Sequence, residues 1–580
     1  MLVLDIETYK NYFLVVTFDP ELGALRPFTI NDREDFLNHI AGQDIFTYNG
    51  IYFDIPVLQL WIDGAITSDL KAYEVAQSII SNDETINTWE LNGNFNKLIN
   101  NHVDLIKFLT ERVSLKALMI NIFSDKIQDL PYSPHLELSE SQKHEVLRYC
   151  ENDVLGTWDF IQQDKILDDI EIRSFIQQEI RPFCEPDSKQ SVWMKSSVQI
   201  AETAMLREVV LNNNNVMPTK RYKNHDVIKF STCNKFPNPA YKLPQLQEFF
   251  KEVEQCTIET IKGDTLKVLT EKQASSLKKK RFYKLADGSY RSRFSINING
   301  KEFNYGLGGL HSKDPAGYYA TTATKEIYNV DVASYYPSMM IQYDIGTMDG
   351  FTTVLSKWRD QRYEYKYSGQ LNKSNTYKLF INGIFGKLND NYSKLYCPTS
   401  AFSVTITGQI QLLKLIDMVV SEIEEIEVVN ANTDGVCFYV NKTDIPKLKE
   451  IQKEWENITG MVLEADPFTK WIALGCNEYT ALTPSGKVKT KGGRLLTKPS
   501  LTGKLNAPIV SSALYNLYVN GTEPIDFIKE NATLSNILIS SKSSTKKHYY
   551  DGNEVQGNVR YYYAIDGADL LTGANVTVAK

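Results

Sequence analysis

The pattern of apolar and polar positions divides the first 60 residues into short strands and a polar helix. The segments LVLDIETY (2–9) and YFLVVTFD (12–19) are rich in β-branched and aromatic residues and are separated by a turn. A polar helical stretch and the strand-like DIFTYNG (44–50) follow. This order predicts an α/β start with carboxylates at strand ends.

Helical spacing of apolar residues is clearest in residues 139–165, which open with serines and an early glutamate, a pattern typical of a capped helix. A second helix-rich stretch extends to about residue 210. Two further helical segments, 355–367 and 370–388, are predicted among strands that carry aspartate between about 326 and 480. The last hundred residues are mixed and include a lysine-rich strand.

The stretch between about 211 and 325 has a different texture. It contains Asn-rich loops, proline turns and the basic run LKKKRFYK (277–284), and then the hairpin pattern SINI-NG-KEFNYG. We interpret it as a connecting region and not as an independent enzyme.

Composition limits the class of protein. The 580 residues suggest roughly four structural units, and 42% hydrophobic with 23% charged residues is typical of a globular chain. No apolar run approaches a membrane span, and the start lacks the pattern of a signal peptide, so we expect a cytoplasmic protein. The seven scattered cysteines argue against a disulfide framework or a zinc ribbon. The net charge of −8 does not by itself indicate a nucleic-acid partner.

A first carboxylate set lies in the N-terminal third. Asp5 and Glu7 are two apart on a predicted strand and therefore project to one face. Asp54 and Asp153 are further candidates, and Tyr149 lies one helical turn before Asp153. Carboxylate oxygens suit Mg²⁺ or Mn²⁺, and two such ions about 3.5–4 Å apart assist phosphodiester cleavage, with Tyr149 placed to orient a water.

Each of these acidic residues also has an ordinary explanation. An Asp-x-Glu pair alone is usually a solvated strand end, and only the combination of four positions favours a metal site. Asp104, which ends another apolar strand, is as well explained as a helix cap and is left outside the site.

A second carboxylate set lies in the C-terminal half. Asp331 ends the strand-like EIYNVD and precedes a tight turn into a helix, where free backbone N–H groups suit phosphate oxygens. Asp434 lies in a short polar turn between apolar runs, as in a hairpin that presents one carboxylate. Either aspartate alone is more often a turn residue, but together they are positioned to share two metals.

The two helical segments between these aspartates carry cations at helical spacing. Arg359, Arg362 and Lys366 share one face of the first segment, where a triphosphate would need them. In the second segment, Lys378, Asn382 and Phe385 share a face, and the glycines allow a base pair to approach closely. The alternative is an ordinary solvated helix face.

The motifs DIET, NGIYFD and YCEND resemble the three exonuclease motifs of the DnaQ-like, ribonuclease-H-fold 3′–5′ proofreading domain. The resemblance implies that Asp5, Glu7, Asp54 and Asp153 bind metal. It also implies that Asn49 and Phe53 contact single-stranded DNA.

The motifs DVASYYPS, KLFINGIFG and NTDG resemble motifs A, B and C of family B DNA polymerases, in that order. The resemblance implies an α/β and α+β multidomain fold in which a ribonuclease-H-like exonuclease domain precedes a right-hand polymerase. The expected parts are an exonuclease domain (1–165), a connecting region (166–325), a palm (326–350 and 395–480), fingers (351–394) and a thumb (481–580).

The resemblance implies a template-directed DNA polymerase with 3′–5′ proofreading and two Mg²⁺ (or Mn²⁺) ions per active site. Asp331 and Asp434 are the implied polymerase metal ligands, and Tyr336 matches the steric gate against ribonucleotides. The implied nucleotide-binding residues are Ser334, Tyr335, Tyr336, Arg362, Lys366, Lys378 and Asn382. The implied DNA contacts are Phe385, Gly386 and Tyr479. Separately, Lys487, Lys489 and Lys491 alternate as on one face of a strand, with Arg494 nearby, and this pattern predicts a track for duplex phosphates.

The chain departs from the polymerase motifs at several positions. Asn432 stands where motif C usually begins with Asp, and Gly435 where Ser or another small residue is usual. The sequence YGLGG (305–309) resembles the Tyr-x-Gly-Gly linker with an additional residue. Asn477-Glu-Tyr479 stands where Lys-x-Tyr is expected, so only Tyr479 carries over.

The expected partners are primer–template DNA, dNTPs and single-stranded DNA in the exonuclease site. Only 47 residues separate Asp331 from Lys378 and 56 separate Lys378 from Asp434, so we expect extension of a nucleic-acid primer and no protein priming. The expected source is a compact phage or mobile-element replicase. We expect a monomer without membrane association that works with phage helicase, primase or single-strand-binding protein in the infected cell. The alternatives are a primer-independent primase-polymerase, a 3′–5′ exonuclease with an impaired polymerase half, and a non-catalytic scaffold.

Overall fold

The computed structural model divides the chain into two compact units, which are described separately. Unit 1 comprises residues 1–196 and 496–580, and unit 2 comprises residues 197–495. The structure describes residues 1–81, 86–180, 183, 191–222, 226–260, 281–496, 500–503, 507–542, 548–550, 553–555, 558–562, 570–572 and 577–579.

The N-terminal part of unit 1 alternates strands and helices. Its elements are β1 (Leu2–Tyr9), β2 (Tyr12–Asp19), β3 (Ala24–Thr29), α1 (Arg33–Ile40), β4 (Asp44–Thr47), α2 (Asp54–Ile62), α3 (Asp69–Ile80), α4 (Thr88–Phe95), β5 (Asn101–Asp104), α5 (Leu115–Asn121), α6 (Glu140–Ile161) and α7 (Asp164–Glu179). Short 3-10 turns cover Gly50–Tyr52, Leu105–Phe108 and Val192–Met194.

A five-stranded mixed sheet organises this part of unit 1. Its order is β3-β2-β1-β4-β5, with β1 antiparallel to β2 and parallel to β4. Helices cover the sheet with aromatic and aliphatic side chains. Trp61 of α2 makes an edge contact with Phe13 of β2 and a tilted contact with Phe36 of α1. Burial of this apolar surface stabilises β1 at the centre of the sheet, and β1 carries Asp5 and Glu7.

Unit 2 begins with helices and short strands. Its first elements are α8 (Ser197–Asn212), β6 (Val227–Lys229), α9 (Phe230–Cys233), α10 (Pro244–Val253), β7 (Thr257–Thr260), β8 (Arg281–Lys284), β9 (Tyr290–Arg291), β10 (Arg293–Ile298), β11 (Lys301–Gly306), β12 (His311–Ser312), β13 (Gly317–Ala320) and β14 (Lys325–Val332). Its later elements are α11 (Tyr335–Gln342), α12 (Phe351–Tyr367), α13 (Leu371–Lys387), α14 (Pro398–Glu422), β15 (Glu427–Asn432), β16 (Gly435–Asn441), α15 (Ile445–Thr459), β17 (Leu463–Phe468), β18 (Lys470–Gly475), β19 (Glu478–Leu482) and β20 (Val488–Lys491), with a 3-10 turn at Lys442–Asp444.

A seven-stranded sheet of order β10-β11-β12-β15-β16-β14-β17 forms the centre of unit 2. Helix α14 is buried along residues 398–419 and is the core helix of the unit. Its Asp417 is fully buried and is satisfied by the backbone N–H groups of Lys242 and Leu243 and by the Lys414 ammonium. A buried carboxylate with three donors is compatible with a helix core.

The last part of the chain belongs to unit 1. It contains α16 (Pro508–Asn520), α17 (Pro524–Asn531), α18 (Leu534–Ile537), β21 (Ile539–Lys542), β22 (His548–Tyr550), β23 (Asn553–Val555), β24 (Asn558–Tyr561), β25 (Leu570–Thr572) and β26 (Thr577–Ala579). The amide of Asn121 donates to the carbonyls of Leu501 and Gly503, which ties this part to α5.

Several predicted elements are confirmed by the structure. The strands 2–9 and 12–19 have the predicted bounds, and α6 begins with a capping box in which Ser139 and Gln142 satisfy each other's backbone N–H groups. The predicted hairpin is β10–β11, and its Asn299 and Gly300 have φ angles of 49° and 79°, as a two-residue primed turn requires.

Other expectations were incomplete. The stretch between β2 and β4, predicted as helical, begins with β3, which the antiparallel neighbour β2 stabilises despite its proline. The 25-residue helix α14 was missed between 390 and 430 because it is apolar on nearly all sides and lacks helical periodicity. It is also the one helix of the described ranges long and apolar enough to cross a membrane, but 94% of its apolar window is buried inside the protein. The first four residues of the basic run 277–284 lie outside the described residues.

Candidate active sites

The first carboxylate set is assembled from one strand and one helix of unit 1. Asp5 and Glu7 project from the same face of β1, and Asp153 projects from α6. One carboxylate oxygen of each lies within 4.8 Å of the others. The structure therefore brings together three of the four predicted ligands at a spacing that suits a shared cation.

Close packing of α5 against α6 places a lysine in this set. Gly156 allows the approach, since a Cβ there would lie 2.4 Å from the methyl carbon of Met119. One helical turn away, the buried ammonium of Lys116 forms an ion pair with Asp153 and lies 4.4 Å from the ring centre of Tyr149. Sequence analysis missed Lys116, and the local signal was a lysine among the apolar residues of 115–120 in α5.

Asp54 enters the same region at the first residue of α2, after a tight turn. Asp104 holds that turn, since its carboxylate accepts hydrogen bonds from the N–H groups of Asn49 (2.7 Å), Ile51 (3.3 Å) and Ile106 (3.2 Å). The geometry agrees with the interpretation of Asp104 as a cap. Gly50 is required in the turn, because a Cβ would lie 2.4 Å from Thr47 Oγ1.

The electrostatics of this set favour a bound cation. Burial raises the pKa of Asp5 to about 6, and burial and the neighbouring Asp5 raise the pKa of Glu7. Burial, and to a smaller extent repulsion from Asp5, raises the pKa of Asp54. Asp54 therefore feels the charge of this set, although its carboxylate is not one of the three that share the close spacing. Crowded carboxylates of raised pKa have the donor chemistry of a Mg²⁺ or Mn²⁺ site, because a divalent cation relieves their repulsion.

The remaining predicted residues of this site lie around the carboxylates. Tyr149 is buried on α6. This burial, and to a smaller extent the negative charges of Glu7 and Asp5, raises the pKa of Tyr149 above the ordinary tyrosine range. Asn49 has a left-handed φ of 69°, and Phe53 packs partly against the core of unit 1. Their predicted contact with DNA stays a prediction.

The second carboxylate set lies at a hairpin in unit 2. Thr433 and Asp434 form the two-residue turn between β15 and β16, and Asp331 of β14 pairs directly with Gly435 of β16. The predicted hairpin presentation of Asp434 is confirmed. A Cβ on Gly435 would lie 1.9 Å from Asp331 Oδ1 and 2.9 Å from the Val330 carbonyl, so glycine leaves the space that the Asp331 carboxylate occupies.

Asn432 has a structural role that a carboxylate could not perform. Its buried amide nitrogen donates to the Cys476 carbonyl and to Asn477 Oδ1, both at 2.9 Å. Because an ionised carboxylate cannot donate, asparagine is the residue these acceptors need. The turn is supported from the other side by Gly309, where a Cβ would lie 2.5 Å from Thr433 Oγ1, and by the Thr433 N–H bond to the Leu310 carbonyl.

Lysines of β20 face the second set. Lys489 Nζ lies 2.8 Å from Asp331 Oδ2. Burial alone would lower the pKa of Lys489, but the hydrogen bond and charge of Asp331 raise it on balance. Loss of hydration and repulsion from Asp331 raise the pKa of Asp434, against the opposing charge of Lys491. Asp434 is exposed as a residue, but its carboxylate lies in the field of the Asp331 carboxylate, and two neighbouring carboxylates again suit a divalent metal.

Aromatic and cationic side chains border the second set. Tyr336 stacks on Phe385 with ring centres 3.8 Å apart and planes 6° apart. Arg362 of α12 donates to Ser334 Oγ at 3.0 Å, and Ser334 has a left-handed φ of 49° at the start of α11. Tyr335 is buried, and a Cβ on Gly408 would lie 1.8 Å from its hydroxyl. The predicted phosphate cation Arg362 thus lies beside the turn that follows Asp331.

The other predicted contacts separate into exposed and buried residues. Tyr479 is a core residue, stacked on Trp471 with ring centres 4.2 Å apart, and its predicted DNA contact stays a prediction. Glu478 has a structural role, because its carboxylate accepts hydrogen bonds from the backbone N–H groups of Gly493 and Arg494 in the turn after β20. Seven other predicted contact residues are exposed to solvent: Lys366, Lys378, Asn382, Gly386, Lys487, Lys491 and Arg494.

Among solved structures, the chain is similar to a family B DNA polymerase from the hyperthermophilic archaeon Pyrobaculum calidifontis. The TM-score is 0.48 and the identity 14%, over 93% of this chain and 67% of that chain. No protein-family model matches the chain, and no curated protein matches it. A similarity this distant does not define a family for the chain.

Proposed function

We propose that this protein is a template-directed DNA polymerase with a 3′–5′ proofreading exonuclease. The two activities are assigned to separate units, polymerisation to Asp331 and Asp434 and strand shortening to Asp5, Glu7, Asp54 and Asp153. The observation that carries the proposal is the presence in each unit of a carboxylate set with the donor chemistry of a divalent-metal site.

The surroundings of Asp331 and Asp434 support nucleotidyl transfer. Arg362, next to Ser334, supplies a positive charge for the triphosphate, and the exposed Lys366 and Lys378 add to it. The Tyr336 ring, stacked on Phe385, is a rigid wall that a ribose 2′-hydroxyl would meet. The proposed fold is a right-hand polymerase with the palm on the seven-stranded sheet and the fingers on α12 and α13.

The mixed sheet of unit 1 supports the proposed ribonuclease-H-like exonuclease domain, because its central strand presents two carboxylates beside a helix that presents a third. Asp5, Glu7, Asp54 and Asp153 would hold Mg²⁺ or Mn²⁺ in one site, and Asp331 and Asp434 in the other. When bound, two such ions supply Lewis-acid stabilisation of the attacking and leaving oxygens. Tyr149 orients the attacking water, and the ammonium of Lys116, which is paired with Asp153, is the charge that a metal ion at this carboxylate would replace.

The proposed setting is replication of a phage genome in the cytoplasm of an infected cell. The protein extends a nucleic-acid primer with dNTPs as a monomer, and phage helicase, primase and single-strand-binding protein are the proposed partners. Sequence-independent lysine contacts to backbone phosphates suit an enzyme that copies any template.

The test uses a 5′-labelled primer–template with Mg²⁺, with and without the four dNTPs, and resolves products by length. We expect extension with dNTPs and 3′ shortening without them. Asp331→Ala should abolish extension and spare shortening, and Asp5→Ala with Glu7→Ala should do the reverse. Loss of both activities in either variant, with folding intact by circular dichroism, would contradict the two-site assignment.

One observation favours a second candidate, a 3′–5′ exonuclease with an impaired polymerase half. Lys489 Nζ lies against Asp331, where its ammonium competes with a divalent cation for the carboxylate. This candidate predicts shortening in the presence and in the absence of dNTPs. Recovery of extension in Lys489→Ala would identify this ion pair as the cause.

A further inference from the structure

A group of one aromatic and two cationic side chains lies on the surface of unit 1, two residues before Asp54. The hydroxyl of Tyr52 accepts hydrogen bonds from Lys107 Nζ at 3.0 Å and from Arg112 Nη2 at 3.1 Å. The same two cations lie 4.7 Å and 5.0 Å from the centre of the Tyr52 ring. Tyr52, Lys107 and Arg112 are called the Tyr52 cluster.

The fold holds the Tyr52 cluster in place from behind. Asp104 binds backbone N–H groups of both 3-10 turns, the one that carries Tyr52 and the one that carries Lys107. The Asn92 amide donates to the Ile51 carbonyl at 2.8 Å. Arg173, which is buried, donates to the Lys107 carbonyl at 3.2 Å. These buried anchors fix the backbone under an exposed group, so the side chains are pre-organised.

The segment that carries Arg112 is anchored as well. The hydroxyl of Tyr48, at the end of β4, donates to the Val113 carbonyl at 2.8 Å. Burial raises the pKa of Tyr48 further above neutral pH, and the neutral phenol is the donor that this hydrogen bond needs. The three members of the Tyr52 cluster therefore come from three separately anchored segments of unit 1.

The Tyr52 cluster differs from the other cation–ring pairs in unit 1 in its charge balance. Arg26 over Phe28 is paired with Asp35 at 2.6 Å, and Lys143 over Tyr12 is paired with Glu140 at 2.9 Å. Within the described ranges of the chain, neither Lys107 nor Arg112 lies within 4.0 Å of a carboxylate. Two positive charges are thus held together without a direct ion-pair partner among the described residues, and the charge of Lys107 acts on the buried Asp104 behind the cluster.

The Tyr52 cluster is exposed to solvent, unlike two other cation–ring pairs of unit 1, which are buried and have a structural role. Tyr52 is 40% exposed and Arg112 is exposed, whereas Lys116 over Tyr149 and Arg173 over Phe108 are buried. An exposed aromatic face beside two cations offers a stacking surface for a base and donors for a phosphate. The chemistry matches a flexible, anionic polymer with unpaired bases.

We propose that the Tyr52 cluster binds single-stranded DNA, with a backbone phosphate on Lys107 and Arg112 and a base on the Tyr52 ring. This inference rests on the proposed exonuclease function and names the surface that leads the strand toward the carboxylates of unit 1. These residues position the strand and do not take part in the chemical step.

The test follows shortening of a 5′-labelled single-stranded oligonucleotide by the full chain in Mg²⁺ at several salt concentrations. Tyr52→Ala should raise KM by about fivefold or more with little change in kcat, because loss of one stacked base has this cost. Tyr52→Phe keeps the ring and should stay near wild type. Lys107→Ala with Arg112→Ala should reduce the slope of log(kcat/KM) against log salt by about 0.7, since the two cations share one phosphate and each phosphate contact contributes about 0.7.

Lys143→Ala is the matched control, because this cation also lies over a ring but is paired with Glu140. It should change neither KM nor the salt slope. Unchanged KM and slope in the Tyr52 cluster variants, with a wild-type protein that shortens the strand, would overturn the proposed binding site.

A binding arm separates this inference from the exonuclease function. Anisotropy of the same oligonucleotide, dye-labelled, is measured in EDTA for wild type and Tyr52→Ala. If the wild-type protein shortens nothing but Tyr52→Ala weakens binding by about fivefold or more, the binding site holds and the exonuclease function fails. If affinity is unchanged and no shortening occurs, both proposals fail.

Discussion

The carboxylate of Asp331 occupies the space that a side chain on Gly435 would fill. The two residues are direct cross-strand partners in β14 and β16, and a Cβ on Gly435 would lie 1.9 Å from Asp331 Oδ1. Gly435, which stands where the resembled motif usually has Ser or another small residue, is therefore needed for the position of Asp331, a predicted metal ligand.

Gly435→Ala should displace the Asp331 carboxylate and lower primer extension by at least about tenfold, because small displacements of reacting groups are costly. Strand shortening should be unchanged, since Asp5 lies in the other unit. Gly317→Ala is the matched control, because its Cβ would make only ordinary contact at 3.6 Å. Full extension by Gly435→Ala would contradict the steric argument.

Asn432→Asp, which restores the usual motif C residue, should destabilise unit 2. A carboxylate cannot donate to the Cys476 carbonyl and Asn477 Oδ1, and leaving buried acceptors unpaired costs about 1–3 kcal/mol. Burial against two acceptors should raise the folded-state pKa of the new carboxyl, so the variant should lose stability as pH rises above about 4. Urea unfolding at pH 4 and pH 7 checks this, and equal losses at both would contradict it.

Tyr336→Ala should admit ribonucleotides more readily, because it removes the ring that stacks on Phe385 beside the second carboxylate set. The measurement compares kcat/KM for a dNTP and the matching rNTP, and we expect their ratio to fall by about tenfold or more. Tyr318→Ala is the control, since that exposed ring of unit 2 belongs to no predicted site. An unchanged sugar preference in Tyr336→Ala would remove this residue from the gate.

Lys116→Met should leave the Asp153 carboxylate buried without its cation and lower the free energy of unfolding in EDTA by about 3–5 kcal/mol. Mg²⁺ should recover more stability in the variant than in wild type if the carboxylates of unit 1 bind the ion. Lys126→Met is the control, because its pair with Asp125 is exposed and worth at most about 1 kcal/mol. Equal effects of the two substitutions in urea unfolding would refute the buried-pair argument.

His102 should make unit 1 sensitive to acid. It is buried, its ring is hydrogen-bonded to Thr47 Oγ1 at 2.9 Å, and burial lowers its pKa from 6.5 to about 3. The unfolded chain takes up a proton below about 6.5 and the folded chain only near 3, so stability is lost as pH falls through this window. Between pH 7 and pH 4, wild type should lose roughly 3 kcal/mol more than His102→Gln in urea unfolding. Parallel losses would contradict the assignment.

Sequence pattern alone predicted the local elements that depend on neighbouring residues. The alternation in 2–9 and 12–19, the cap at Ser139 and the Asn299-Gly300 turn are each specified by side chains within a few positions, and the structure has them. The same local pattern could not predict α14, because a helix buried on all sides has no polar face to reveal its period.

Only the tertiary structure decided which side chains from distant parts of the chain lie in contact. Lys116 contacts Asp153 because Gly156 allows α5 to pack closely on α6. Lys489 contacts Asp331 because the fold brings β20 close to β14, although 158 positions separate the two residues. The role of Asn432 likewise depends on acceptors 44 and 45 positions away. Residue type and spacing determined which groups are able to bind metal or phosphate, whereas packing of distant segments determined their charge partners, their exposure and their pKa values.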